Sequence, residues 1–301
     1  MDFGKLPDSQ LPTIDFRLPP DNAFNANVLT PRLGLPKVFV GCPVWSNKNW
    51  LGKIYPHQTK DKDMLGLYTK QFNTIELNVT HYQIPTPETI TRWREASTDG
   101  FVFCPKFPQV ISHDKLLQGT DALTETFCQQ MMGLGSHLGL SFLQLSPYFG
   151  PKQLPILLEY LESLPENLSL AVEFRQQDWF SNKAIWSKTL GCLQDLNTAT
   201  VITDVAGRRD VLHQSLPTST VAIRWVGNEH PTDYQRIDQW IDRLQTWFDA
   251  GLKALYLFVH ALDNDTAPEL ATYWIRQLNQ RCGLQIAEPK FLPKVTQTSL
   301  F

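Results

Sequence analysis

The chain has 301 residues, 42% of them hydrophobic and 19% charged, with 27 Lys and Arg against 30 Asp and Glu. At ~150 residues per domain this length fits two ordinary domains or one large α/β barrel, with a core that needs no disulfide support. The composition excludes a largely disordered chain, the net charge of −3 argues against a coat for nucleic acid, and no apolar run of ~18 residues marks a transmembrane helix.

Residues 1–36 carry Pro7, Pro12, Pro19, Pro20, Pro31 and Pro36, so an irregular arm is expected there, with Leu11, Ile14, Phe16 and Leu18 as its anchors. The first residues show no basic stretch followed by an apolar one, so no secretory signal and a cytoplasmic protein are expected. Cys42, Cys104, Cys128, Cys192 and Cys282 are odd in number and lack a CxxC pair. They read as free thiols rather than a disulfide framework or zinc site.

After the arm, short β-branched and aromatic runs alternate with helical stretches. The runs are Lys37–Cys42, Asn73–Asn78, Phe101–Lys106, Leu140–Leu145, Ser169–Arg175, Thr198–Asp204, Ser219–Val226 and Ala254–His260. The clearest helix is Tyr234–Ala250, with Ile237, Trp240, Ile241, Leu244, Trp247 and Phe248 at helical spacing. Trp186, Trp240, Trp247 and Trp274 are expected to pack helices onto strands. Eight strands alternating with helices predict an α/β fold, a closed (β/α)8 TIM-type barrel over residues 37–282, with an irregular tail from 283 to 301. An open doubly wound sheet is the alternative, but the text after the first strand, GCPVWS, is not the glycine-rich dinucleotide turn.

In such a barrel the site lies at the C-terminal ends of the strands, where alternate residues point inward. Seven of the eight strands end in polar groups at that parity: Glu76 and Asn78, Lys106, Gln144, Glu173 and Arg175, Asp204, Arg224, and His260. Buried charge is costly unless paired. One reading is therefore a self-neutralising network that closes the mouth. The other is a pocket for an anionic or polyhydroxylated small molecule, in which guanidinium groups hold the anion and carboxylates move protons.

Several segments at these ends resemble the domain-of-unknown-function family 72, the YecE-like proteins. They are Gly41-Cys-Pro-Val-Trp45 with Trp50-Leu-Gly52 and Tyr55-Pro56, and Phe72-Asn-Thr-Ile-Glu76-Leu-Asn78 with Tyr82. Phe103-Cys-Pro-Lys106 with Ile111-Ser-His113, Leu143-Gln144-Leu-Ser-Pro147-Tyr-Phe149, and Ala171-Val-Glu173-Phe-Arg175 with Trp179 continue the pattern. Asp204, Arg224 and Tyr234 stand where that family usually has them. The resemblance runs from about Val38 to about Leu278 and implies a TIM-type barrel with its pocket at the strand ends; it implies no activity. The chain departs from the family at Val226, where a histidine often stands.

The expected roles follow. Glu173 and Asp204 are acid/base candidates, Arg175 and Arg224 hold the anion, and Lys106 stabilises negative charge, as a counter-ion more readily than as a nucleophile. Glu76 and Asn78 orient hydroxyls. His113 is a general acid, with Gln144 and His260 as further ligand contacts. Trp45, Trp50, Tyr55 and Tyr82 form an aromatic wall or cover the top. His57, His81, His137, His213 and His230 read as surface or packing residues, and Arg208-Arg209-Asp210 as a solvated turn. No cofactor is expected. The lesser alternatives are a divalent metal held by Glu173, Asp204, His113 and His260, which gives a phosphoesterase, isomerase or repair enzyme, and a non-catalytic adaptor docking through its arm.

Overall fold

The computed structural model describes residues 4–31 and 34–293. Its regular elements in chain order are β1 (Lys37–Gly41), α1 (Met64–Tyr68), β2 (Thr74–Leu77), α2 (Val79–Tyr82), α3 (Pro87–Ala96), β3 (Val102–Pro105), α4 (Asp121–Met132), β4 (Ser141–Gln144) and α5 (Leu154–Glu162). They continue with β5 (Leu170–Glu173), α6 (Asp178–Ser181), α7 (Lys183–Asp195), β6 (Ala199–Asp204), β7 (Thr220–Val226), α8 (Thr232–Ala250), β8 (Ala254–His260) and α9 (Ala267–Cys282). All eight expected strands are present. The long amphipathic stretch forms α8, which buries Ile237, Trp240, Ile241, Leu244 and Trp247 and ends at Gly251 in the left-handed conformation.

The strands form two parallel sheets, one of six in the order β1-β8-β7-β6-β5-β4 and one of two, β2-β3. The closed ladder expected from the sequence is therefore not formed: it is interrupted between β1 and β2 and between β3 and β4. Side chains explain the first gap. The Val40 N–H donates to the Asn73 side-chain oxygen at 2.7 Å, and the Asn73 amide donates back to the Val38 carbonyl at 2.9 Å. The Cys42 N–H donates to the Tyr68 hydroxyl oxygen, and that hydroxyl contacts the Thr74 carbonyl at 3.0 Å. The backbones nearly touch there, since a Cβ on Gly41 would lie 1.9 Å from the Thr74 oxygen. At the second gap, only isolated bonds join the strands, from Gly139 N–H to the Phe103 carbonyl and from Phe107 N–H to the Phe142 carbonyl.

Cys104, Leu140, Phe142, Ala171, Ala199, Val201, Ala222 and Phe258 form one buried cluster with Tyr256 against it. It draws on strands of both sheets. A larger cluster lies between strands and helices, where the four tryptophans expected to pack there are buried. Among the described residues all five cysteines are free thiols.

One expected helix is missing. The β6–β7 crossover holds only a 3-10 segment, Ala206–Val211, and then an extended stretch. The N-terminal arm fills that side. Its own 3-10 segment, Ala23–Asn27, is tied to the extended stretch: Asn22 N–H and the Asn25 amide both donate to the Gln214 carbonyl, and Leu216 N–H donates to the Asn25 side-chain oxygen. Ser215 also accepts from Trp186 of α7, while Asp21 pairs with Arg243 and accepts from Trp247 of α8. The arm is thus part of the domain wall between α7 and α8. Among the described residues no helix is long and apolar enough to cross a membrane.

Candidate functional site

Register decides which residues face the interior. Arg224 pairs with Thr203 and Phe258, and Trp225 pairs with Asp204 and Val259. Phe258 belongs to the interior cluster, so Arg224 and Thr203 point inward while Trp225 and Asp204 point outward.

Arg224 is the hub of the mouth. Its Nε and Nη2 donate to the two oxygens of Glu76 at 2.9 Å each, and its Nη1 donates to Glu173 at 3.2 Å. Glu76 also accepts from the Asn78 amide and from His260 Nε2, each at 2.8 Å. Glu173 accepts from Arg175 Nη2 at 2.6 Å and from the Thr203 hydroxyl. Residues of β2, β5, β7 and β8 are thereby joined across the strand ends.

Both carboxylates are saturated. Burial alone would raise the pKa of Glu76, but Arg224 and His260 outweigh it and hold the group well below the usual carboxylate range. Burial acts likewise on Glu173, and Arg175, Arg224 and the Thr203 bond bring its value below normal. Burial opposes the charge on Arg224, yet Glu76 and Glu173 raise its pKa above the ordinary value. Two negative charges answer two positive ones. Of the two readings of the ring, these four residues follow the self-neutralising one.

Lys106 is the exception. It continues β3 at the inward parity of Cys104, and its backbone is fixed by bonds from its N–H to the Leu77 carbonyl and from the Thr80 hydroxyl to its carbonyl. The side chain is 7% exposed. Among the described residues its amine makes no hydrogen bond and no ion pair. Burial first, then Arg224, push its pKa down to about 7; Glu173 and Glu76 offset part of this, and Arg175 adds to it. Glu173 and Glu76 act on this amine through charge, but among the described residues neither forms an ion pair with it.

Two imidazoles lie beside it. Gln144 connects them to the charged network. Arg175 Nη2 donates to Gln144 Oε1 at 2.9 Å, so the Gln144 amide nitrogen, 3.3 Å from His113 Nε2, is the donor and His113 Nε2 accepts. His113 Nδ1 then carries the hydrogen and donates to Ser112 Oγ at 2.8 Å, whose hydroxyl donates to the Pro108 carbonyl. In this tautomer His113 is neutral, and its Nε2 lone pair accepts from the Gln144 amide. Burial, Lys106 and Arg175 lower its pKa, in that order.

His81, a packing residue by the sequence reading, shares this role. Its Nδ1 donates to the Phe107 carbonyl at 2.7 Å, and its Nε2 is buried with no partner among the described residues. Its ring packs edge-on against His113 and against Tyr82, both at 5.3 Å. Burial and Lys106 push its pKa down to about 4. The signal in the sequence was its place three residues after Asn78, on the short helix α2 that caps β2.

Other expected residues are not brought to the site. Asp204 faces α8, where Arg236 and Arg209 pair with it and Trp240 donates to it at 2.7 Å. It is a structural anion, because Thr203 and not Asp204 holds the inward position. Arg209, expected in a solvated turn, is bound to it and lies over the Phe16 ring. Trp45 packs edge-on against Trp93 of α3, and Trp50 and Tyr55 are fully buried, so the aromatic wall reduces to Tyr82, which is 71% exposed. Val226, expected from sequence to depart from the family, lies beside His260 in the β7–β8 register. The metal set Glu173, Asp204, His113 and His260 does not converge, and no group of three or more His, Cys, Asp or Glu among the described residues does so.

Known proteins share the sequence pattern and the fold of this chain. The sequence pattern of the family described as Protein of unknown function DUF72 matches residues 39–295. The UPF0759 protein YecE of Escherichia coli is 33% identical over 292 residues, covering 88% of this chain and all of that one. The UPF0759 protein YunF of Bacillus subtilis is 24% identical over 151 residues, 48% of this chain and 52% of that one. Two solved DUF72 proteins share the fold. One from Enterococcus faecalis has a TM-score of 0.65 at 16% identity, covering 84% of this chain and 98% of its own. One from Thermotoga maritima has a TM-score of 0.64 at 22% identity, covering 81% of this chain and 100% of its own.

Proposed function

This chain belongs to the DUF72 family of proteins of unknown function, and from the geometry of its strand ends we propose that it is an enzyme acting by proton transfer on a small anionic or polyhydroxylated molecule. We read the two sheets as one barrel whose two seams are sewn by side chains and isolated bonds. The substrate would lie over the interior ends of the strands.

The observation that carries this reading is the amine of Lys106, buried and without an ion pair among the described residues, in a cluster whose other charges are balanced. A balanced network that only closed a barrel has no need of an extra amine, and burying one is costly. An anionic ligand offsets that cost when it binds. The proton-moving groups in this reading are Lys106 and the neutral His113, because the carboxylates are saturated and held ionised. Glu76, Glu173, Arg224 and Arg175 form the fixed frame, Asn78, Gln144 and His260 offer polar contacts, and Tyr82 gives a rim against which a sugar or other ring can lie.

The test is thermal unfolding and calorimetry of the protein with inorganic phosphate and a panel of hydroxy- and dicarboxylic acids at pH 6–7. Stabilisation by at least one of these anions, lost in Lys106→Met, is the expected result. Absence of any shift across the panel overturns the reading.

A further inference from the structure

We propose that Lys106 is a nucleophile that forms an imine with the carbonyl carbon of a 2-oxo acid or similar small carboxylated aldehyde or ketone. This rests on the proposed ligand site and names the substrate class that fits it.

Four observations lead there. First, the amine has no bonded partner among the described residues, so none of them engages its lone pair when it is neutral. Second, the groups that act on it come from every side, Glu76 from β2, Glu173 and Arg175 from β5 and Arg224 from β7, and their charges cancel. What remains is burial, which favours the neutral amine. At a pKa of about 7 roughly half the amine is neutral at pH 7, against about one part in three thousand for an ordinary lysine. Third, His113 and His81 present ring nitrogens without hydrogens: His113 Nε2 accepts a 3.3 Å bond from the Gln144 amide, and the buried His81 Nε2 has no donor among the described residues. Both are acceptors for the proton the reaction releases. Fourth, the site has one positive charge in excess when Lys106 is protonated.

The chemistry accounts for each of these. The Nζ lone pair forms the C–N bond while the carbonyl π pair moves to oxygen, which takes a proton from solvent. The nitrogen gives up a proton to the imidazole pair, which passes it to the new hydroxyl; that group leaves as water, and the nitrogen lone pair forms the C=N bond of the protonated imine. No oxidant or reductant is needed. The protonated imine carries the positive charge that the ammonium carried, so a carboxylate on the adjacent carbon neutralises it at both stages. A simple aldehyde would leave that charge without a counter-ion.

The test is reductive trapping. The full-length protein is incubated at pH 7 with glyoxylate or pyruvate and sodium borohydride, which delivers hydride to the imine carbon, and the adducts are located by peptide mass mapping. One reduced adduct on Lys106, formed at least tenfold faster than on exposed lysines such as Lys48 and Lys60, is expected. It should be absent in Lys106→Met and Lys106→Arg. Because the map of the wild type alone shows where the adduct is, the result does not depend on either variant folding. Adducts confined to exposed lysines, with Lys106 unmodified, overturn the inference. If phosphate or a carboxylate still stabilises the protein through Lys106 in that case, only the imine is refuted; if it does not, the ligand-site reading falls as well.

Discussion

Lys106→Met is expected to stabilise the folded protein at pH 6, with the gain shrinking as the pH rises toward 9. The amine is 7% exposed, it has no ion pair among the described residues, and its pKa is pushed from 10.5 to about 7, first by burial. A lysine with a folded-state value below its unfolded one binds fewer protons when folded. Its penalty is therefore complete below about 7 and fades as the pH rises through the interval toward the unfolded value. At about 1.4 kcal/mol per pH unit the interval corresponds to a ceiling of about 5 kcal/mol. Relaxation and water entry reduce the cost of buried charge, so on the order of 1–3 kcal/mol is the expected gain at pH 6. Methionine suits the test because it keeps the length of the chain and fills irregular space. Urea unfolding at pH 6, 7.5 and 9, followed by tryptophan fluorescence, gives the difference directly. A variant several kcal/mol less stable than wild type at pH 6 would show that Lys106 is a structural counter-ion, and the reasoning would be wrong.

Glu173→Gln should cost about 3–5 kcal/mol, because it removes the carboxylate that faces both Arg175 and Arg224 in a buried setting; an unchanged denaturant midpoint would contradict the saturated-frame account. Asn25→Ala should cost about 2–3 kcal/mol, since the Gln214 carbonyl and the Leu216 N–H lose buried partners, and a neutral result would show that the arm is not part of the wall. Glu76, Glu173 and Asp204 all have pKa values below their ordinary ones in the folded state. Their contribution is full above the unfolded carboxylate range and is lost as the pH falls through the lower folded values. Acid unfolding monitored by circular dichroism should therefore steepen below about pH 4, and stability unchanged down to pH 2 would refute it.

Much of the geometry of the candidate site was legible from strand parity alone. Glu76, Lys106, Gln144, Glu173 and Arg224 share an inward face because each lies two residues beyond another inward one. Parity failed at β6, where Thr203 and Asp204 are both polar and only the pairing of Thr203 with Arg224 shows which faces in. His81 was missed because its burial depends on the four-residue helix α2 and on the Phe107 carbonyl, neither of which leaves a periodic trace. The helical alternation overstated the β6–β7 crossover, where a segment from the opposite end of the chain does the covering. The broken ladder was also out of reach: side chains of Asn73 and Tyr68 take over backbone bonds, and no pattern of apolar residues records that exchange.

Lys106 is a buried amine without an ion pair among the described residues. Labelling the protein with 13Cε-lysine and following the Lys106 resonance against pH by NMR, with the signal assigned through Lys106→Met, measures this directly. A midpoint near 7 is predicted. A resonance that titrates near 10.5 with the other lysines would contradict the account.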